Sequence, residues 1–286
     1  MSSSVILDGK AVSANLHEAI KTQCAALKSS GIIPGLAVIL VGDDPASATY
    51  VANKEKACVQ LGFYSEMHHL PAETNENELL KLINKLNVSD KIHGILVQLP
   101  LPMGFDQKKV LDAISVNKDV DAFSPVNIGK IIIGDYDFLP CTPAGIMEIL
   151  RYYKINTDGK SCVVVGRSNI VGKPMAMLLL HANATVTICH SKTVDLSSVT
   201  SQADILIAAV GKPNFITGRM VKHGAVVIDV GMNRDENGKL CGDVDFKSVS
   251  PKASHITPVP GGVGPMTITM LMKNTLKAAE LKMSSK

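Results

Sequence analysis

Three observations predict an α/β fold of two domains. Apolar runs of strand length alternate with helix-period stretches along the 286 residues, the pattern of βαβ units and parallel sheets. That length suits two domains of ordinary size, each able to bury a core. Residues 163–172 then read as a strand, a glycine loop and the start of a helix, the layout of a dinucleotide site. The expected architecture is an N-terminal α/β catalytic domain followed by a Rossmann-type dinucleotide-binding domain with a mostly parallel sheet.

Each element follows from its pattern. Val12, Leu16, Ile20 (with Ala19), Gln23 and Leu27 trace a mostly apolar helical stripe, closed by Gly31. Residues 36–41 are continuously apolar, as a parallel strand covered on both faces requires. A helix carrying residues 47–54 stops near Gly62. The next helix takes Thr74 as N-cap and buries Leu79, Leu80, Ile83 and Leu86. Residues 95–99 form a strand ended by Pro100-Leu101-Pro102, and a helix over 106–115 leads to the polar loop around Asp119 and Asp121. The stretch 127–140 reads as the crossover between domains. Thr142-Pro143 reads as N-cap plus first-turn proline of a long helix. Further strands are expected at 162–165, 185–189, 204–209 and 225–230, and a last helix from Pro265 to about Leu281. The domains are therefore 1–140 and 141–264, with the C-terminal helix 265–286 packing back onto the first.

Composition excludes several classes. With 46% hydrophobic and 19% charged residues the chain is globular rather than disordered. The 29 basic and 26 acidic residues leave a net charge of +3 with no dense Lys/Arg block, which argues against nucleic acid. Six cysteines show no CxxC or zinc-type spacing, and most lie in apolar runs where a reduced, buried thiol is the ordinary reading; no metal is expected. No signal-peptide pattern and no membrane-length apolar run is present, so a soluble, cytoplasmic protein without membrane association is expected.

Chemistry is carried first by Tyr50 and Lys54, which at i and i+4 share one helix face. A desolvated amine loses its proton more readily and a phenol donates to a polar atom, so the pair suits proton management at a carbonyl or iminium carbon. In short-chain dehydrogenases such a pair follows the glycine loop; here it precedes it, which excludes that family. Gln98 alone reads as a polar strand cap, but beside this pair it can aim its amide at Lys54 or a substrate. Asp121 reads equally as a ligand for a cationic or amidine-like heterocycle and as a turn cap.

The glycine loop departs from GxGxxG. Gly166-Arg167-Ser168 precedes Gly172-Lys173-Pro174, which opens a helix whose N-terminus favours anions. The second strand, ending in Cys189-His190-Ser191-Lys192, has no acid until Asp195, so the usual partner of a ribose 2′-hydroxyl is missing. Arg167, with Ser191 and Lys192, suits a 2′-phosphate instead, which favours NADP; Lys192 taken alone is a solvated cation. Residues 258–265 form a stiff, side-chain-poor loop fit for a planar ligand or for a hinge. His181 and His190 read as structural, and Met175, Met177, Met266, Met270 and Met272 as packing residues.

Six ordered stretches carry a resemblance: Tyr50-Val51-Ala52-Asn53-Lys54, Val97-Gln98-Leu99-Pro100-Leu101-Pro102, Lys118-Asp119-Val120-Asp121, Cys141-Thr142-Pro143-Ala144-Gly145, Gly166-Arg167-Ser168 through Gly172-Lys173-Pro174, and Pro260-Gly261-Gly262-Val263-Gly264-Pro265. Through them the chain resembles the bifunctional methylenetetrahydrofolate dehydrogenase/methenyltetrahydrofolate cyclohydrolase family along nearly its whole length. The resemblance implies a homodimer in one-carbon metabolism and purine biosynthesis, with folate held between the domains. It implies oxidation of 5,10-methylenetetrahydrofolate with NADP⁺, then hydrolysis of the methenyl product to 10-formyltetrahydrofolate. Lys54 would be the key catalytic group, supported by Tyr50 and Gln98. The folate would meet Val51, Ala52, Asn53, Val97, Leu99, Asp121 (at the pterin), Pro260, Gly261, Gly262, Val263 and Gly264. Gly166, Arg167, Ser168 and Ser191 would hold the cofactor, and no metal is implied. The alternatives are a catalytically idle NADP-binding regulator, against which the full set of Tyr50, Lys54, Gln98 and Asp121 speaks, and a shikimate-type dehydrogenase, whose Lys–Asp pattern is not found.

Overall fold

The computed structural model describes residues 4–284, Ala46 by its backbone alone. Residues 1–3, 285 and 286, which the expected domain limits include, lie outside the described residues. The chain separates into two compact units. One combines residues 15–139 with the segment beginning at Ile268; the other combines the segment ending at Ala14 with residues 140–267. The N-terminal segment therefore falls with the second half of the chain, not with the first as the division at 140 assumed. The reason is a strand pairing: β1 (Val5–Ile6) lies parallel to a strand at His255–Ile256.

Helix α1 (Gly9–Ser29) follows, and it buries Val12, Ile20, Cys24 and Leu27. Ala19 and Gln23 of the expected stripe are exposed and Leu16 is half-buried. The 3.6-residue period favours Cys24 over Gln23 as the successor of Ile20. Next come β2 (Gly35–Val41), α2 (Pro45–Leu61), β3 (Tyr64–Leu70), α3 (Glu76–Asn87), β4 (Gly94–Val97), α4 (Gln107–Asp112) and α5 (Pro125–Ile133). These strands form a parallel sheet in the order β3-β2-β4, with β2 buried at every position. Strand β3 escapes the apolar-run reading because it lies on the edge and its residues are polar and mostly half-exposed. The N-cap of α3 is Asn75 rather than Thr74, its Oδ1 accepting from the Glu78 N–H at 3.0 Å. Leu79, Ile83 and Leu86 are 0–2% exposed and contribute roughly 2 kcal/mol each by burial, while Leu80 is only half-buried. Helix α5 occupies much of the stretch expected to be a plain crossover, with Ser124 as N-cap and Gly134 in the left-handed C-terminal position.

His93 makes the stability of this unit acid-sensitive. It is 6% exposed, and its Nδ1 accepts from the Gly35 N–H at 3.1 Å. Burial, with the Lys282 and Lys118 cations adding to it, holds its pKa down to about 4 from 6.5. The unfolded chain binds this proton below pH 6.5 and the folded chain refuses it until about 4, so the stabilisation is complete above 6.5 and lost as pH falls between those values. The full loss amounts to about 3 kcal/mol. Urea unfolding of His93→Asn, whose amide oxygen can keep the Gly35 bond, should show a shallower loss between pH 7 and pH 5. Equal acid sensitivity in the two proteins would refute the assignment.

The remaining elements are α6 (Cys141–Tyr152), β5 (Ser161–Val165), α7 (Gly172–His181), β6 (Thr185–Cys189), α8 (Leu196–Thr200), β7 (Ile205–Ala208), β8 (Val226–Asp229), β9 (Asn233–Arg234), β10 (Leu240–Cys241), α9 (Phe246–Val249), β11 (His255–Ile256) and α10 (Val263–Ser284). Helix α6 starts one residue before Thr142, with Pro140 at its N-cap. The Thr142 hydroxyl meets that of Thr267 at 2.9 Å instead of capping. The main sheet has the order β1-β11-β8-β7-β5-β6, with every pair parallel, and β9–β10 is a separate antiparallel ribbon. Because β5 lies between β6 and β7, the chain reverses direction across the sheet at the β5/β7 boundary, the position where doubly wound sheets bind ligands.

Five of the six thiols are buried, and burial pushes Cys58 up to about 11 and Cys162 up to about 12, which keeps both protonated. Among the described residues no helix is long and apolar enough to cross a membrane, and no group of three or more His, Cys, Asp or Glu is placed to hold a metal ion.

Candidate active site

In the unit built on β2, β3 and β4, the C-terminal strand edge gathers the catalytic candidates. Asp44 ends β2's connection as N-cap of α2, its Oδ2 accepting from the Ser47 N–H at 2.7 Å, and Pro45 pre-sets the first turn. Gly62, at φ +73°, closes the helix with the Phe63 N–H donating to the Cys58 carbonyl at 2.9 Å. Helix α2 thus holds Tyr50 and Lys54 on the face that turns inward. Lys54 is 7% exposed and Tyr50 half-buried, whereas Ala52 and Asn53 are exposed and Val51 is half-buried.

The strand supplies the partner. Gln98 follows β4 and donates its backbone N–H to the Ile39 carbonyl at 2.8 Å. Its Nε2 donates to the Leu99 carbonyl at 2.7 Å, which orients the amide so that Oε1 accepts from Lys54 Nζ at 2.6 Å. The Leu99–Pro100 peptide is cis. A buried amine with a fixed acceptor is held in a set direction. Burial raises the pKa of Tyr50, so its phenol stays a neutral donor at physiological pH. Val97 is buried and Leu99 half-buried beside Gln98.

Asp121 sits in a turn that its neighbour builds. Asp119, 3% exposed, bridges Ile95 of β4 in parallel; its Oδ2 accepts from the Ser124 N–H and Asn127 Nδ2, each at 2.8 Å, and its Oδ1 from the Phe123 N–H at 3.2 Å. Asn274 of α10 donates to the Val120 carbonyl at 2.8 Å. Asp119 therefore does the capping work in this turn that these bonds show, and half-buried Asp121 lies two residues further along the chain.

In the other unit the glycine loop has the geometry a dinucleotide needs. Gly166 has φ +139°, and a Cβ there would lie 2.2 Å from the Ala209 carbonyl oxygen. A Cβ on Gly172 would lie 2.2 Å from the Gly166 carbonyl oxygen, so the loop and the start of α7 are compressed to bare backbone. Ser168 accepts on its Oγ from the Val171 and Gly172 N–H groups at 3.2 and 3.3 Å, and it stays exposed together with Arg167. The Gly166 N–H donates to the Cys189 carbonyl at 2.9 Å, which sets exposed Ser191 just past the end of the adjacent strand. This cradle fits a dinucleotide: close backbone, a helix N-terminus and exposed groups for phosphate. His190 turns its Nδ1 to the Lys192 N–H at 3.1 Å, a loop role.

The 260–264 loop belongs to this same unit. Gly9 donates its N–H to the Gly261 carbonyl at 3.0 Å, and a Cβ on Gly9 would lie 1.8 Å from the Gly262 oxygen. Gly262 is itself confined by the Pro258 oxygen, 2.6 Å from an added Cβ. Gly9 had no sequence signal beyond a glycine at a helix start. Asp229 and Asp243, both buried, were also missed, because neither falls in a sequence motif that marks a role for an acid.

Known proteins bear on both units. The sequence model described as tetrahydrofolate dehydrogenase/cyclohydrolase, catalytic domain, matches residues 7–121, and the NAD(P)-binding domain model of that name matches residues 140–283. A relative from Moorella thermoacetica, named bifunctional protein FolD, is 62% identical over 96% of this chain and 98% of its own length. The crystal structure of the bifunctional FolD methylenetetrahydrofolate dehydrogenase/cyclohydrolase of Campylobacter jejuni is 54% identical with a TM-score of 0.95, covering 98% of this chain and all of that one. The Trypanosoma brucei enzyme, solved with NADP cofactor and inhibitor, is 39% identical with a TM-score of 0.95 over 99% of both chains.

Proposed function

The chain belongs to the tetrahydrofolate dehydrogenase/cyclohydrolase family, and on that ground we propose that Lys54, Tyr50 and Gln98 carry its chemistry. It is an NADP-dependent methylenetetrahydrofolate dehydrogenase and methenyltetrahydrofolate cyclohydrolase. The observation that most supports this division of roles is the part-buried Lys54 Nζ–Gln98 Oε1 hydrogen bond of 2.6 Å.

When bound, NADP⁺ supplies the hydride acceptor for the one-carbon methylene. The protein's part in that step is positioning: Asp121 receives the pterin and the loop at Pro260, Gly261, Gly262, Val263 and Gly264 presents bare backbone to the folate. Val51, Ala52, Asn53, Val97 and Leu99 complete the substrate contacts. In the hydrolytic step water adds to the amidinium carbon and releases one proton; the carbon–N5 bond then breaks as the adduct hydroxyl loses its remaining proton, leaving the formyl C=O, and N5 takes up a proton in its place. Lys54, aimed by Gln98, relays these protons, and Tyr50 donates to the oxygen being formed. Residues 15–139 with the segment beginning at Ile268 form the catalytic domain under this reading, and residues 140–267 with the segment ending at Ala14 the cofactor domain. We further infer a homodimer working in the cytoplasm on one-carbon units for purine synthesis.

Gly166, Ser168 and the α7 N-terminus receive the pyrophosphate, and Arg167 with Ser191 receives the 2′-phosphate. Arg167→Ala should raise KM for NADP⁺ by ten- to a hundredfold, the worth of one or two charge-assisted hydrogen bonds, while barely changing that for NAD⁺. The ratio of kcat/KM for the two cofactors measures this; an unchanged ratio would remove Arg167 from the site.

The founding experiment follows methenyltetrahydrofolate absorbance from methylenetetrahydrofolate with NADP⁺ or NAD⁺. Transient accumulation with NADP⁺, then decay faster than the uncatalysed reaction, is expected. Silence with both cofactors would return the idle regulator to the front.

A further inference from the structure

At the C-terminal edge of the main sheet two carboxylates stand in series. Asp229, the last residue of β8, is 4% exposed. Its Oδ1 accepts from the Gly231 and Asp243 N–H groups, both at 2.9 Å, and its Oδ2 from the Val244 N–H at 3.0 Å. Burial pushes this carboxyl up to about 6 despite those three donors, so it is held there at a cost. Asp243, fully buried, accepts from four donors: Val210 N–H at 2.5 Å and Gly211 N–H at 3.0 Å on Oδ2, Lys212 N–H at 2.9 Å and Asn233 Nδ2 at 2.8 Å on Oδ1. Four donors use the acceptor capacity of a carboxylate, so Asp243 has none left for a ligand.

The surroundings are built around the pair. A Cβ on Gly242 would lie 1.8 Å from Asp229 Oδ2, and one on Gly231 2.4 Å from Asp243 Oδ1. What the pair holds is the loop after β7, where three successive amides converge on one carboxylate. That loop begins at Ala209, the residue whose carbonyl confines Gly166. Resting on the NADP reading above, the dinucleotide would be held from Ser191 beyond β6 across the glycine turn beyond β5 toward the loop after β7, where residues 209–212 would meet its nicotinamide half.

We propose that Asp243, itself fixed by Asp229, is a positioning residue for hydride transfer, holding the 209–212 loop as the wall that orients the nicotinamide half of the cofactor. A residue that only stabilised the fold would lower both activities together; a positioning residue on the cofactor path lowers the one that uses the cofactor. Asp243→Asn places an N–H₂ or a single oxygen against the loop amides, and Asn233→Ala removes only one of the four donors.

The test measures dehydrogenase kcat and KM for NADP⁺, NADP⁺ affinity by calorimetry, thermal unfolding, and nucleotide-free hydrolysis of methenyltetrahydrofolate in wild type and both variants. Expected is a tenfold or greater fall in dehydrogenase kcat/KM for Asp243→Asn, about threefold for Asn233→Ala, with hydrolysis within twofold of wild type in each. Parallel loss of both activities, or a folded Asp243→Asn with dehydrogenase within twofold of wild type, would overturn the proposal. If Asp243→Asn does not fold, an unchanged activity ratio in Asn233→Ala overturns it. Wild type that hydrolyses but never reduces NADP⁺ would instead refute the NADP reading itself.

Discussion

Replacing Lys54 by Met is expected to cut cyclohydrolase activity by roughly two to four orders of magnitude, the range of a lost general acid–base, while hydride transfer stays measurable. Lys54 is buried, and its ammonium has a defined acceptor in Gln98 Oε1 at 2.6 Å. Methionine fills nearly the same volume without a proton to give, so packing on α2 is preserved and the relay alone is removed. Gln98 loses its partner, which costs about 1–3 kcal/mol if no water replaces it. Hydride transfer depends mainly on aligning the one-carbon unit with the nicotinamide, a task Lys54 assists only by contact. Methylenetetrahydrofolate oxidation by the mutant should therefore stop at the methenyl form, visible as absorbance that rises and does not decay beyond the uncatalysed rate. A mutant retaining full cyclohydrolase activity would sink the assignment of Lys54, and Gln98→Ala would then show whether the pair acts at all.

The parts of this site legible in the sequence are those where local pattern and function coincide. Tyr50 and Lys54 share a helix face by spacing alone, and Gly62 marks the end of that helix because only a glycine takes its left-handed turn without strain. Apolar runs such as β2 and β7 are legible because a strand covered on both faces must be apolar throughout. What escaped was set by tertiary contact. Strand β3 is polar because one edge is open, and β1 and β11, two residues each, exist only through each other. Asp119 and Asp121 carry the same side chain two positions apart. Only the surroundings, with three donors around Asp119, show that this acid is a structural one. Asp243 is the extreme case, since its role lies in amides contributed by residues more than thirty positions away.

Gly166→Ala should weaken NADP⁺ binding by about a hundredfold, roughly 3 kcal/mol, while leaving methenyltetrahydrofolate hydrolysis in place. Two costs combine at this one position. The backbone at φ +139° is strained for any residue with a Cβ, and the new carbon would lie 2.2 Å from the Ala209 oxygen and 3.0 Å from its carbonyl carbon. That carbonyl has little freedom to yield, because the Ala209 N–H is tied to the Val165 oxygen at 2.8 Å and the Gly166 N–H to the Cys189 oxygen at 2.9 Å. Relief must come from the loop leading to Arg167 and Ser168, the residues proposed to receive the cofactor phosphates. The Lys54–Gln98 pair lies in the other compact unit, so hydrolysis is spared. Gly129→Ala is the matching control, since an added Cβ on α5 meets nothing within 4 Å; it should leave both activities unchanged. Calorimetric titration of NADP⁺ with the two variants decides the matter. Wild-type affinity in Gly166→Ala would mean that the turn serves only to join β5 to α7, and that the phosphates are held elsewhere on the sheet edge.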